Sequence, residues 1–214
     1  MTSPIPNIKD KYLAICFGPC KEAIDSVRYI SNASSGKLGL EIAKCAAANG
    51  AKVHAISSIP IPEDYGLDQV TSFKSHKDLK HILLHPSFNF DQLYMAAAVS
   101  DFSPVAQENK LSRQSSLTLN LDANSDLIKA VSEKKQAHQD IIGFCLGDSD
   151  TLENQALKKL KDKGCDRIIA NDVSNLGANQ RSIKILDAKT LSFKTFDQLT
   201  VCETAQHILS SGNT

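Results

Sequence analysis

The stretch YLAICFGPCKEAIDSVRYISNASSGKLGLEIAKCAAANGAKVHAISS occupies residues 12–58. Its first six residues, YLAICF, form an unbroken apolar run of strand length, the pattern of a strand buried on both faces. Residues 35–49 then carry Leu38, Ile42, Cys45 and Ala46 on one helical face, and Asn49-Gly50 closes that helix. AKVHAISS (51–58) reads as a second strand. A strand, a helix and a strand in this order form a βαβ unit, the building block of a parallel sheet.

The rest of the chain repeats the rhythm. QVTSFK (69–74), QLYMAAA (92–98), DIIGFCL (140–146) and RIIAND (167–172) read as strands. IPIPEDYG (59–66) is a Pro-rich loop, and Ser75 can cap a helix of about a dozen residues. Helical patterns precede the last two strands. The series predicts an α/β fold: one domain over residues 1–214, with a mainly parallel sheet and helices on both faces. SIKILDA (182–188) and TLSFKTF (190–196) predict a C-terminal antiparallel hairpin, followed by a closing helix at about 198–210. DFSPVAQENKLSRQSS (101–116) is polar and aperiodic, and LTLNL (117–121) reads as a short strand. Long irregular segments in compact domains are usually functional. Residues 101–121 are therefore expected to form a flap over the strand ends.

Bulk properties exclude several classes. Lys and Arg balance Asp and Glu at 24 each, so no global field draws in nucleic acid or a membrane surface. No apolar run approaches the roughly 20 residues of a membrane helix, and the N-terminus lacks the pattern of a signal peptide. The six cysteines include no C-x-x-C pair, which predicts a reduced, cytoplasmic chain. His81 and His85 are four apart on a helix but show no third ligand nearby, and read as solvent-facing.

In open α/β sheets, ligands bind beyond the carboxyl ends of the strands. That rule gathers Gly18–Ser35, Ser100–Asn109, Gly147–Asp150 and Asn171–Gly177 around one pocket, all rich in Gly, Ser, Asn or Asp. The first βα turn has no G-x-G-x-x-G. The Gly-Lys pair in ISNASSGKLG (30–39) is not a P-loop, since Ser31 and Leu38 stand where Gly and Ser or Thr are required. Ser34 and Ser35 are expected to cap the helix beginning near Gly36, whose N–H groups attract anions. Lys37 in the first turn opposes the helix dipole, which suggests an anionic partner.

GPCKEAIDSVRYISNASSGKLG (18–39) resembles the signature of phosphopantothenoylcysteine synthetase. AAAVSDFSP (96–104), GFCLGD (143–148) with KKLKDKGCD (158–166), and ANDVS (170–174) match in order. The resemblance covers essentially the whole chain and implies a Rossmann-like dimer. The implied reaction activates 4'-phosphopantothenate with CTP and magnesium, then joins it to L-cysteine. A free-standing form would have a separate flavin-dependent decarboxylase as its functional partner.

The resemblance also implies residue roles. Asn32 holds the activated acyl group, where its bland alternative is a turn residue. Lys110, in KLSR (110–113), approaches the triphosphate. Arg28 contacts substrate or the dimer partner, against a plain ion pair with Asp25. Ser34, Ser35, Gly36 and Lys37 bind substrate. Ala97, Ala98 and Asp101 border the nucleotide, as do Ser125, Asp126 and Leu127 after Asn124, itself a good cap. Phe144 stacks on the base or lies in the core. Lys159 and Lys163 meet the nucleotide or merely favour the helix dipole. Magnesium would be held largely by phosphates, with no protein ligand assigned.

The chain departs from the family pattern in three places: GPCKEA (18–23) for G-P-T-R-E-P, KLSR for K-x-K-K, and CLGD (145–148) for A-A-E-T. The last loses a pocket Glu that Asp148 replaces at best. These changes motivate one alternative, a catalytically silent homologue that binds a nucleotide or a partner. Another is a nicotinamide-dependent reductase. It would need a Gly-rich first turn and an acidic residue ending the second strand, which instead ends in Ser57-Ser58.

Overall fold

A computed structural model describes residues 5, 8–113, 116–175 and 180–212. In chain order the elements are β1 (Tyr12–Pro19), β2 (Lys21–Ala23), β3 (Tyr29–Ser31), α1 (Lys37–Ala48), β4 (Lys52–Ser57), β5 (Gln69–Ser72), α2 (His76–Leu83), β6 (Gln92–Ala98), β7 (Phe102–Pro104) and β8 (Leu121–Ala123). They continue with α3 (Leu127–Ser132), β9 (Asp140–Gly147), α4 (Leu152–Lys163), β10 (Arg167–Asp172), β11 (Arg181–Asp187), β12 (Phe193–Leu199) and α5 (Val201–Ser210).

Eight strands form one sheet in the order β12-β11-β10-β9-β6-β1-β4-β5. β5, β4, β1, β6, β9 and β10 run parallel, and β11 and β12 add the expected antiparallel hairpin. Alternation along the buried strands divides the core. Leu13, Ile15 and Phe17 pack with Ile42, Ala46, Ala205 and Ile208 on the α1 and α5 side. Ala14 and Cys16 pack with Leu79, Val131 and Leu160 on the α2, α3 and α4 side. β1, β4, β6, β9 and β10 are covered on both faces and so carry near-continuous apolar runs, which is why these runs read so clearly.

The boundaries differ from expectation where local geometry overrides pattern. α1 begins at Lys37 because Gly36 turns the chain with φ of 70°. α2 has eight residues rather than a dozen; Ser75 does cap it, in a reciprocal capping box with Asp78, and Pro86 lies beyond its end. α5 starts at Val201, fixed by a second capping box between Thr200 and Glu203. In the flap, the strand is Leu121–Ala123 and not LTLNL. Its register pairs Phe102 with Ala123 and Pro104 with Leu121. Leu117 is exposed and contributes no core contact that would have drawn a strand around it.

Candidate functional site

The crossover point of the parallel sheet lies between β1 and β6, where the strand order reverses direction. There Gly18 pairs with Ala97, and Pro19 with Ala98. Beyond it the chain makes a short antiparallel ribbon, β2 and β3, before reaching Asn32. Cys20 N–H donates to Ala98 O (3.0 Å), and Ser31 Oγ donates to Cys20 O (2.6 Å). This ribbon returns Asn32 to the crossover. Its Nδ2 donates to Ala98 O (3.1 Å) and Val99 O (3.2 Å), so both amide hydrogens are committed to main-chain carbonyls. Two carbonyl partners call for the amide NH2 rather than the amide oxygen, which leaves Oδ1 as an acceptor without a partner among the described residues.

The turn into α1 follows. Ser34 Oγ and Ser35 Oγ accept from Gly36 N and Lys37 N, each at 3.4 Å. They shape the turn, and the capping position itself is Gly36 with no side-chain cap. The expectation of a serine cap is thus corrected: the left-handed Gly36 carries the hydroxyls to the turn before the helix. Lys37 is exposed at the helix start, beside N–H groups that have no intrahelical acceptor.

A Cβ on Gly39 would meet Phe17 Cβ at 2.2 Å, so only glycine lets α1 approach β1 this closely.

Asp101 is exposed at the end of β6, and its carbonyl accepts from Asn124 N (2.8 Å). Asn124 does not cap α3, as its sequence position suggested. It ties the base of the flap instead, donating from Nδ2 to Ser100 O and Ser103 Oγ, both at 2.8 Å. The cap is Asp126, which accepts from Lys129 N (3.2 Å) and pairs with Lys163 at 3.0 Å. Partial burial alone would raise the Asp126 pKa, but these partners outweigh it and hold it low. Ser125 O accepts from His76 Nε2 (2.8 Å). The Leu127 side chain is buried in the core, so only its main chain can face a ligand.

Phe144, half-buried, packs against the α1-side core, the bland one of its two readings. Its carbonyl accepts a hydrogen bond from Lys159 Nζ. Burial, and then the neighbouring Lys163 charge, push the Lys159 pKa down. At the end of β10, Asp172 binds Ser149 Oγ and Ser174 N, contacts that lower its pKa to about 2. Gly177, the expected limit of this pocket edge, lies outside the described residues.

Above the ribbon sits a cavity of about 700 Å3, lined by Arg28, Lys110, Leu111, Ser112, Arg113 and Ser116 among others. Three cations around one cavity suit a polyanion. Arg28 makes the ion pair with Asp25 (2.9 Å) and also donates to Leu111 O in the flap (2.6 Å). In the sequence Asp25 stands out only as an ion-pair partner for Arg28. Its carboxylate also accepts from Leu111 N (3.0 Å). A second cavity, of about 420 Å3 at the amino ends of the strands, is lined by Tyr12, His54, Thr71, His81, His85 and neighbours. Among the described residues, no three His, Cys, Asp or Glu side chains converge to hold a metal, and no helix is long and apolar enough to cross a membrane.

Residues 8–212 match the DNA/pantothenate metabolism flavoprotein C-terminal domain family. The chain belongs to that family.

Its relatives in the family include the coenzyme A biosynthesis bifunctional protein CoaBC of Bacillus subtilis (strain 168), 36% identical over 174 residues, covering 80% of this chain and 42% of that protein. CoaBC of Borreliella burgdorferi is 31% identical over 208 residues, covering 94% and 52%. The chain thus spans about half the length of these curated relatives. The solved C-terminal domain of a CoaBC shares the fold with a TM-score of 0.79 at 28% identity, covering 95% of this chain and 94% of that one. The Streptococcus pneumoniae DNA/pantothenate metabolism flavoprotein gives 0.80 at 28%, covering 94% and 96%. The resemblance read from GPCKEAIDSVRYISNASSGKLG is thus matched by a family and a fold that span nearly the whole chain.

Proposed function

We propose that this chain is a phosphopantothenate–cysteine ligase. In this reading a carboxylate oxygen of 4'-phosphopantothenate attacks the α-phosphorus of CTP, and pyrophosphate leaves. The amine of L-cysteine then attacks the acyl carbon. A C–N bond forms, the acyl C–O bond breaks, CMP leaves with its electron pair, and the amine loses a proton.

The observation that carries the proposal is the placement of Asn32. It is pinned to the carbonyls of Ala98 and Val99 at the sheet crossover, in a chain whose family includes CoaBC. There its side chain meets an acyl group held between β1 and β6. Ser34, Ser35, Gly36 and Lys37 would receive the substrate phosphate, using the anion-attracting start of α1. Ala97, Ala98 and Asp101, together with the main chain at Ser125–Leu127, line the nucleotide side. Lys163 and Lys159 lie at its edge, Lys163 already paired to Asp126. Lys110, with Arg28 and Arg113, faces the polyphosphate, where positive charge stabilises the departing pyrophosphate.

In this reading magnesium would be held largely by the nucleotide's phosphates. Bound there, it would neutralise phosphate charge. Val27 and Tyr29 on the ribbon, exposed at 58% and 54%, offer an apolar surface for a homodimer. The product is a substrate for a flavin-dependent decarboxylase, the proposed functional partner.

The test is pyrophosphate release with 4'-phosphopantothenate, magnesium and either CTP or ATP, with and without cysteine. The proposal expects release with CTP, and phosphopantothenoylcysteine only when cysteine is present. No release with either nucleotide from folded protein would instead favour a silent homologue.

A further inference from the structure

The flap carries Lys110 at a site where its ammonium group has no partner among the described residues, yet the main chain on both sides of it is tied down. Gln107 N donates to Ile24 O (2.9 Å), and Leu111 N donates to Asp25 Oδ2 (3.0 Å). Both anchors lie on the turn joining β2 to β3. That turn is itself closed by Asp25, whose Oδ1 accepts from Val27 N (2.9 Å) and Arg28 N (2.8 Å). Arg28 completes the junction, holding Asp25 Oδ2 on one side and Leu111 O on the other. One buried carboxylate therefore organises both its own turn and, 86 residues away, the residue after Lys110.

We propose that Asp25 is a positioning residue that latches the flap to the β2–β3 ribbon and so fixes where Lys110 meets the polyphosphate. The latch is read from geometry alone; its purpose rests on the ligase reading above. The opposite end of the same ribbon leads into Asn32. The latch therefore gives Lys110 and Asn32 one common rigid support, one serving the first chemical step and the other the second. Desolvation alone would raise the Asp25 pKa. The Val27, Leu111 and Arg28 N–H groups and the Arg28 charge outweigh it and bring it down to about 2, so the carboxylate stays ionised at neutral pH.

The experiment uses the full chain and its Asp25→Asn variant, with limited trypsin digestion read at Lys110 and Arg113. Released from its anchor, the flap is expected to be cut roughly tenfold faster, as a segment with a lower local opening free energy, while the thermal midpoint of the whole chain changes little. Pyrophosphate release should fall in the wild-type background. It should not fall further when Asp25→Asn is added to Lys110→Ala, because the effect passes through Lys110. Unchanged cutting of folded Asp25→Asn would overturn the latch. So would an equal loss of activity in both backgrounds, the signature of a residue that merely supports the fold. If Asp25→Asn does not fold, Arg28→Gln replaces it. Arg28 is 41% exposed at its side chain, so its removal opens no core, and the same acceleration of cutting is expected. Digestion needs no turnover. A wild type that releases no pyrophosphate would therefore refute the ligase reading and leave the latch to be judged by its cutting rates.

Discussion

Asn32 and Ala98 are joined by a hydrogen bond from Nδ2 to the main-chain oxygen, 3.1 Å long, and Val99 O takes the other amide hydrogen at 3.2 Å. The side chain is thereby tied to the end of β6, with Oδ1 taking no hydrogen bond among the described residues. Truncation to alanine removes this support without disturbing the core, since Asn32 is exposed.

Asn32→Ala is expected to lower formation of phosphopantothenoylcysteine about 10²-fold, the usual cost of removing one oriented polar group at a reacting centre. Pyrophosphate release in the absence of cysteine should be spared. Parallel assays of pyrophosphate and amide product check this; an equal loss in both would place Asn32 in the first step.

Lys110 makes no hydrogen bond or ion pair among the described residues, so its removal should not touch stability. Lys110→Ala is expected to slow pyrophosphate release about 10²-fold, as expected for a lost electrostatic contact in the transition state. Its melting temperature should match the parent. An unchanged rate would remove Lys110 from the chemistry.

Gly39 is set by packing. A Cβ there would lie 2.2 Å from Phe17 Cβ, in the buried contact of α1 on β1. Gly39→Ala should destabilise the fold by about 1–3 kcal/mol, despite alanine's better helix propensity. Urea unfolding measures the difference, and a more stable variant would contradict the close approach.

His54 is 6% exposed and hydrogen-bonded through Nε2 to Thr71 Oγ1 at 2.8 Å, and burial pushes its pKa down from 6.5. Folding therefore favours the neutral ring. Its contribution to stability is complete above pH 6.5 and is lost as pH falls below that value, when the unfolded chain takes up the proton first. The wild type should lose stability between about pH 7 and pH 5 more steeply than His54→Gln, which cannot titrate. His81, His85 and Tyr12 line the same cavity and remain in both proteins, so the difference isolates His54. Parallel pH dependences would contradict the burial effect.

The fold was legible because β1, β4, β6, β9 and β10 are covered on both faces and carry continuous apolar runs. The hairpin of β11 and β12 was legible through its two apolar segments and their short connection. The ribbon of β2 and β3 was not. Three-residue strands such as Lys21–Ala23 bury too little to leave a pattern, and this pair is fixed by distant main-chain bonds such as Lys21 N to Lys74 O (2.7 Å). The same holds for β8. Leu117 and Leu121 are 50% and 45% exposed, so the apolar letters of LTLNL marked no buried face. The stretch 18–39 pointed to the crossover region because its motif is contiguous. Asp25 stayed hidden because its decisive partner, Leu111, is 86 residues along the chain.

α5 packs on α1, and together they seal one face of the sheet. On the ribosome these two helices do not meet early. α5 emerges roughly 150 residues after α1, a delay of about 8–30 seconds at elongation rates of about 5–20 residues per second. Through that interval the side of α1 that α5 packs on has no permanent cover. The last helix made is thus the one that closes the first half of the core, and a nascent chain stalled before Val201 would present that apolar face to chaperones.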